Sequence, residues 1–157
     1  MRVVPDGEQP GEARAATMPS VPLREDQYGQ LLTFRTALRQ FLRWSERQAA
    51  TAGITAQQHQ LLLAIRGHEG PTAPTVGDVA EHLLLRHHSA VELVDRAEQA
   101  GLVVRDVDDH DRRVVRLALT PAGRRILGRL SATHLEELAR LAPMVQRLAA
   151  GLDPAGA

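Results

Sequence analysis

The 157-residue sequence calls for a mainly α fold with one small β-hairpin. Apolar residues recur at helical spacing over most of the chain, and Ala and Leu dominate a composition with only 3% aromatics. A single stretch near residues 102–119 switches to β-branched, period-two patterning. Two short helices with a tight turn, a hairpin behind them and a long helix at each end make a winged helix-turn-helix with a terminal dimerisation region.

The elements follow in order. Residues 1–23 hold Pro5, Pro10, Pro19 and Pro22 among scattered charges without an apolar run, so they read as a flexible tail and not a signal peptide. Over 24–52, Leu31, Phe34, Leu38, Phe41 and Leu42 form one helical stripe and Arg35, Arg39, Arg43 and Arg47 another, with Gly53 as the stop. Thr55 and Gln58 form a capping box that starts a second helix over 56–67. Gly70, Pro71 and Pro74 make 68–74 a loop.

Thr75 caps a short third helix whose Val76, Val79, Ala80 and Leu83 face inward, leaving Asp78, Glu81 and His82 outside. A fourth helix starts near His87, buries Ala90, Leu93, Val94 and Ala97, and stops at Gly101. Strands over 102–105 and 113–119 flank a polar tip at 106–112, which is the wing. Thr120 and Pro121 open the last helix, where Leu127, Leu130, His134, Leu138 and Leu141 recur, continuing past Pro143 to Val145 and Leu148. Such a stripe wants a partner. The expected division is therefore a tail at 1–23, a dimerisation helix at 24–52, a winged helix-turn-helix at 53–120 and C-terminal dimerisation helices at 121–157.

Composition narrows the chemistry. The absence of Cys excludes disulfides, zinc–thiolate fingers and cysteine nucleophiles. No apolar run is long enough to span a membrane, so a cytoplasmic protein is expected. The 19 basic residues, all Arg, balance 19 acidic ones, so only local charge distribution can point to nucleic acid. Few aromatics argue against single-strand stacking platforms and leave duplex DNA. No P-loop, G-x-S-x-G, H-E-x-x-H or dinucleotide fingerprint is present, so no enzyme and no cofactor are expected. His82, His87 and His88 lie close in sequence, but adjacent helical residues point about 100° apart, so no metal site is expected.

Asp111, Arg113, Leu117, Leu119, Thr120 and Gly123 fit the spacing D-x-R-x-x-x-L-x-L-T-x-x-G, which resembles the wing signature of the MarR family of transcription regulators. The segments 75–80 and 93–105 resemble that family's third helix and recognition helix, and the resemblance spans about residues 25–150. Ala97 stands where the family usually has Leu, and the His87–His88 pair is a second departure. The resemblance implies a homodimer on a pseudo-palindromic double-stranded DNA operator, usually a repressor, with a small anionic or phenolic effector.

In such a dimer the recognition helices enter successive major grooves about 34 Å apart. The outward residues of the fourth helix are Arg86, His87, His88, Ser89, Glu92 and Arg96, suited to base edges or phosphates. Glu92 either accepts from cytosine or orients Arg96 one turn later, and the His pair reads as DNA contact or as solvated surface. By the resemblance, Arg113 enters the minor groove, held by a salt bridge from Asp111, unless the pair only fastens the hairpin; Arg112 meets phosphate. Arg105 and Arg116 either meet phosphate or balance Asp106, Asp108 and Asp109. Arg124 and Arg125 lie at the wrong end of the helix dipole, which suggests a phosphate partner or a salt bridge. Phe41, Trp44, His59 and Leu63 are the candidate effector wall implied by the family, with ordinary core or surface as the alternative. A winged-helix module that binds protein and does not read DNA is the alternative function.

Overall fold

The computed structural model describes residues 25–108 and 110–151, without the side chains of residues 148, 149 and 151. The expected tail at 1–23, Asp109 and the Leu148 side chain lie outside the described residues. The element order is α1 (Glu25–Thr51), α2 (Ala56–Arg66), α3 (Val76–His82), α4 (His87–Gln99), β1 (Val103–Val107), β2 (Val115–Leu119) and α5 (Pro121–Gly151). α1 packs along α5, while α2 touches α1, α3, α4, β2 and α5 and so joins the long helices to the winged lobe.

The local code explains most boundaries. At α2 the Gln58 amide N–H donates to Thr55 Oγ1 at 3.1 Å and the Thr55 N–H donates to Gln58 Oε1 at 2.9 Å. At α3 Thr75 makes the same reciprocal cap with Asp78, whose Oδ2 accepts from the Thr75 N–H at 2.7 Å. Asp78 is therefore folded back onto its own helix start and not left pointing outward. α4 ends with Gly101 at φ +69°, where the Leu102 N–H reaches the Ala97 carbonyl at 3.0 Å and the Gly101 N–H reaches that of Glu98 at 2.9 Å. These two bonds satisfy carbonyls that the helix end would otherwise orphan.

β1 and β2 pair antiparallel from Val103↔Leu119 to Val107↔Val115. Asp106 and Val107 thus extend the first strand beyond the expected 102–105, while Arg113 and Val114 leave the second and join the turn. Asp106 lies on the exposed face of the ribbon, where an acidic side chain does not interrupt the ladder. The loop before α3 is stitched to the free side of β2 by a bond from the Leu117 N–H to the Pro74 carbonyl, 2.8 Å.

Leu61, Leu62, Val79, Leu93, Val94, Val103 and Leu117 form the fully buried centre, joined by Ala97, Leu127 and Leu130. At the start of α5, the Gly123 N–H donates to Thr120 Oγ1 at 3.0 Å, and the Thr120 hydroxyl donates to the Gly101 carbonyl at 2.7 Å. A Cβ at Gly123 would run into the Leu102 carbonyl oxygen. The Thr-x-x-Gly spacing therefore lets α5 dock directly on the end of α4. α5 is one continuous helix through Pro143, as the stripe that continues past the proline predicts. The proline removes one backbone donor without ending the run.

Candidate functional site

α4 presents Arg86, His87, His88, Glu92 and Arg96 to solvent, with Ser89 half-buried. Its buried residues are Ala90, Leu93, Val94 and Ala97, so burial on one side leaves a polar face on the other. Arg86 is the N-cap residue and its side chain makes no capping bond. The first amide N–H groups of α4 therefore lack a side-chain partner, and the positive end of the helix is open to an anion. Among the described residues no ion pair joins Glu92 to Arg96, so the orienting contact weighed for Glu92 is not made.

The wing tip is built on two aspartates. Asp108 Oδ1 accepts from the His110 and Asp111 N–H groups at 2.8 and 3.1 Å, and Oδ2 accepts from Arg116 Nε at 2.8 Å. Arg116 also donates to the Ala73 carbonyl at 3.1 Å. The Arg116 guanidinium, followed by the two turn amides, lowers the Asp108 carboxyl to about 2. Asp111 then accepts from the Arg113 N–H at 3.0 Å, from Nε at 3.1 Å and from Nη2 at 3.3 Å. The Arg113 side chain and then its backbone N–H hold the Asp111 carboxyl below the usual range. The Arg113 side chain is 91% exposed, standing off the tip in a fixed direction. Arg112 is exposed beside it in the turn.

Arg105 does not pair with Asp106 or Asp108, and Asp109 lies outside the described residues. Arg105 bridges Asp95, at 2.6 Å, and Glu98, tying the hairpin to the back of α4. Arg116 does balance Asp108, and Arg124 donates to the Leu119 carbonyl at 2.6 Å where a salt bridge was one expectation. Sequence reasoning missed Asp108 as the organiser of the tip. The signal was there, in an aspartate followed by polar residues whose amides it can accept.

Three of the four candidate effector residues converge around a side chain assigned only to the long helical stripe. His134 of α5 lies 4.8 Å from Trp44, 5.9 Å from Phe41 and 4.6 Å from His59, centroid to centroid. Its Nδ1 meets the Leu130 carbonyl and its Nε2 the Ser45 hydroxyl, both at 2.7 Å. A carbonyl only accepts, so Nδ1 donates to Leu130, and Nε2 shares a hydrogen bond with the Ser45 hydroxyl. Burial, and secondarily His134, pushes the His59 imidazole down from its ordinary value. Leu63 is 52% exposed and is not part of this cluster. Phe41 also lines an apolar groove between α1 and α5.

The MarR family model matches residues 52–114, covering α2 to α4, β1 and the turn of the hairpin but not β2. A MarR family protein from Bacillus stearothermophilus has the same fold, with a TM-score of 0.65 and 26% identity over 76% of this chain and 82% of its own. Over residues 52–114 the chain is similar to the MarR family, and its winged-helix fold matches that of a MarR family structure. Among curated MarR-type relatives, the HTH-type transcriptional regulator PecS of Dickeya dadantii is 28% identical over 53% of this chain and 50% of its own length. The chain spans about half the length of the curated relatives it matches. The S. aureus MepR–DNA complex shares the MarR fold at a TM-score of 0.62, with 20% identity over 76% of this chain and 88% of that one. MarR family members are transcription regulators and not enzymes. No helix among the described residues is long and apolar enough to cross a membrane.

Proposed function

We propose that the protein is a sequence-specific regulator of transcription that binds double-stranded DNA as a homodimer. On this reading it is a cytoplasmic repressor of a pseudo-palindromic operator, relieved by a small anionic or phenolic ligand. Residues 53–120 read the DNA, and residues 24–52 and 121–157 pair the subunits. Arg86, His87, His88, Ser89, Glu92 and Arg96 meet the major groove, Arg112 a phosphate and Arg113 the minor groove, where negative potential favours a guanidinium.

The observation that carries the reading is Arg113, almost fully exposed yet held by Asp111 at the tip of a hairpin that Arg105 fastens to α4. A side chain ordered without burial is ready for a partner outside the chain. A MepR variant bound to an oligodeoxyribonucleotide shares the fold. Exposed Leu31, Leu32, Leu38, Leu135 and Leu138 on the long helices support pairing of two copies.

The test is binding to the DNA upstream of the protein's own gene, against random duplex at moderate salt. The wild type prefers the upstream DNA, and Arg113→Ala loses roughly 1–3 kcal/mol of that binding. A monomer with no preference overturns the reading. The formal net charge of zero favours the second reading, a protein-binding winged module; in that case Arg113→Ala leaves DNA affinity where it was.

A further inference from the structure

His82, the last residue of α3, meets His68 across the loop that joins α2 to α3. The rings stand edge to face with centroids 5.5 Å apart, and His68 Nδ1 lies 3.1 Å from His82 Nε2. Sequence order sets His82 beside His87 and His88, but its partner in the fold is 14 residues the other way. A Cβ at Gly70 would run into His68 Nε2, so the glycine leaves that ring room to lie over the loop. Two imidazole nitrogens bound to one metal ion at about 2.0–2.1 Å stand about 2.9–3.4 Å apart, from octahedral to tetrahedral angles. The pair already has that spacing. A hydrogen bond between the rings fastens the loop, a task that any short polar pair performs, whereas imidazole is the ligand that zinc, copper and nickel share. Asp78, close enough to His68 for their charges to interact, adds the negative charge a cation favours, while its Oδ2 stays on the Thr75 cap.

We infer that His68 Nδ1 and His82 Nε2 form a binding site for a late divalent transition-metal ion, zinc or copper, that ties the α2–α3 loop to the end of α3. Among the described residues no third His, Asp or Glu completes the set, so water fills the other positions. Two protein ligands in place of the four of a structural zinc site set the affinity in the micromolar range. The loop is also bonded to the hairpin, from Pro74 to Leu117 and from Ala73 to Arg116, and His82 ends the helix just before the turn into α4. An ion there joins the two parts of the winged lobe at one point. Only its bearing on DNA rests on the function proposed above, because binding itself is measured without DNA.

The test is calorimetric titration of the full chain with zinc chloride, with magnesium chloride as the control. One zinc ion per chain binds with a dissociation constant of about 1–50 µM and raises the melting temperature, while magnesium, which prefers oxygen ligands, does not bind. His68→Gln and His82→Gln each weaken zinc binding about tenfold or more, with far-ultraviolet circular dichroism matching the wild type. The double variant His87→Gln, His88→Gln leaves it intact. The inference fails if no zinc binds below about 100 µM, or if either His68→Gln or His82→Gln binds like wild type, which marks an adventitious ion only. It also fails if the double variant abolishes binding, because the ion then sits on α4. Wild-type protein that takes up zinc but shows no operator preference sinks the DNA reading and leaves the site standing.

Discussion

Among the described residues other than glycine, Leu84 alone has a positive φ. It sits at φ +54° in the turn between α3 and α4, 93% exposed. The Leu84 and Leu85 N–H groups close onto the Glu81 and Ala80 carbonyls at 3.2 and 2.9 Å, the ending that Gly101 gives α4. A left-handed conformation costs a branched side chain about 1–2 kcal/mol, and nothing buried compensates. Leu84→Gly therefore stabilises the fold by about 0.5–1 kcal/mol after allowing for the freer unfolded chain, and a urea melt shows it as a higher midpoint. Gly101→Ala moves the midpoint the other way. Both capping threonines were legible at this level, because their partners lie three residues away. Leu84 was not, since an apolar residue after a helix reads as core, and only the backbone angle shows that it ends one.

The hairpin is held by acids whose charged form the fold stabilises. The Asp108 carboxyl titrates near 2, against 3.8 unperturbed. Its contribution to folding is complete above about pH 4 and disappears as pH falls through about 2. Hydrogen exchange at the turn amides, followed across that window, should show the tip loosening first, and Asp108→Asn should loosen it already at neutral pH. His59 has the same sign in a higher window. Its lowered value means that the neutral ring stabilises the α1–α2–α5 joint fully above about pH 6.5, with the benefit lost as acid charges it. The drop in melting temperature below that pH should shrink in His59→Gln. The α4 pattern announced its inner face before any coordinates, since one helical period sorts Ala90, Leu93, Val94 and Ala97 from their neighbours. The strand ends were harder, because a two-stranded ribbon tolerates Asp106 within it. His134 was read as part of a pairing stripe, and its place at the joint depends on α2, brought there only by the tertiary fold.

The long helices decide what the molecule is as a whole. Leu135 is 68% exposed on α5 and Leu32 is 65% exposed on α1, amounts of apolar surface that a stable monomer has no reason to present. If two copies cover them, Leu135→Glu shifts sedimentation toward the monomer and lowers operator affinity with it, while the isolated lobe keeps its helical content. An unchanged sedimentation coefficient, equal to that of the wild type, removes the pairing surface from α5. Periodicity gave these helices an apolar stripe; it could not show which face the neighbouring helix already takes. α5 runs without a break from Thr120, bonded to the end of the recognition helix, to its far contacts with α1. Its 31 residues span about 46 Å. If two copies pair through the long helices, a tilt of about 5° where they cross swings the lobe at the other end of α5 by about 4 Å, more than the rise of one base pair. On the proposed reading, a modest rotation there is enough to put both α4 helices out of step with the groove.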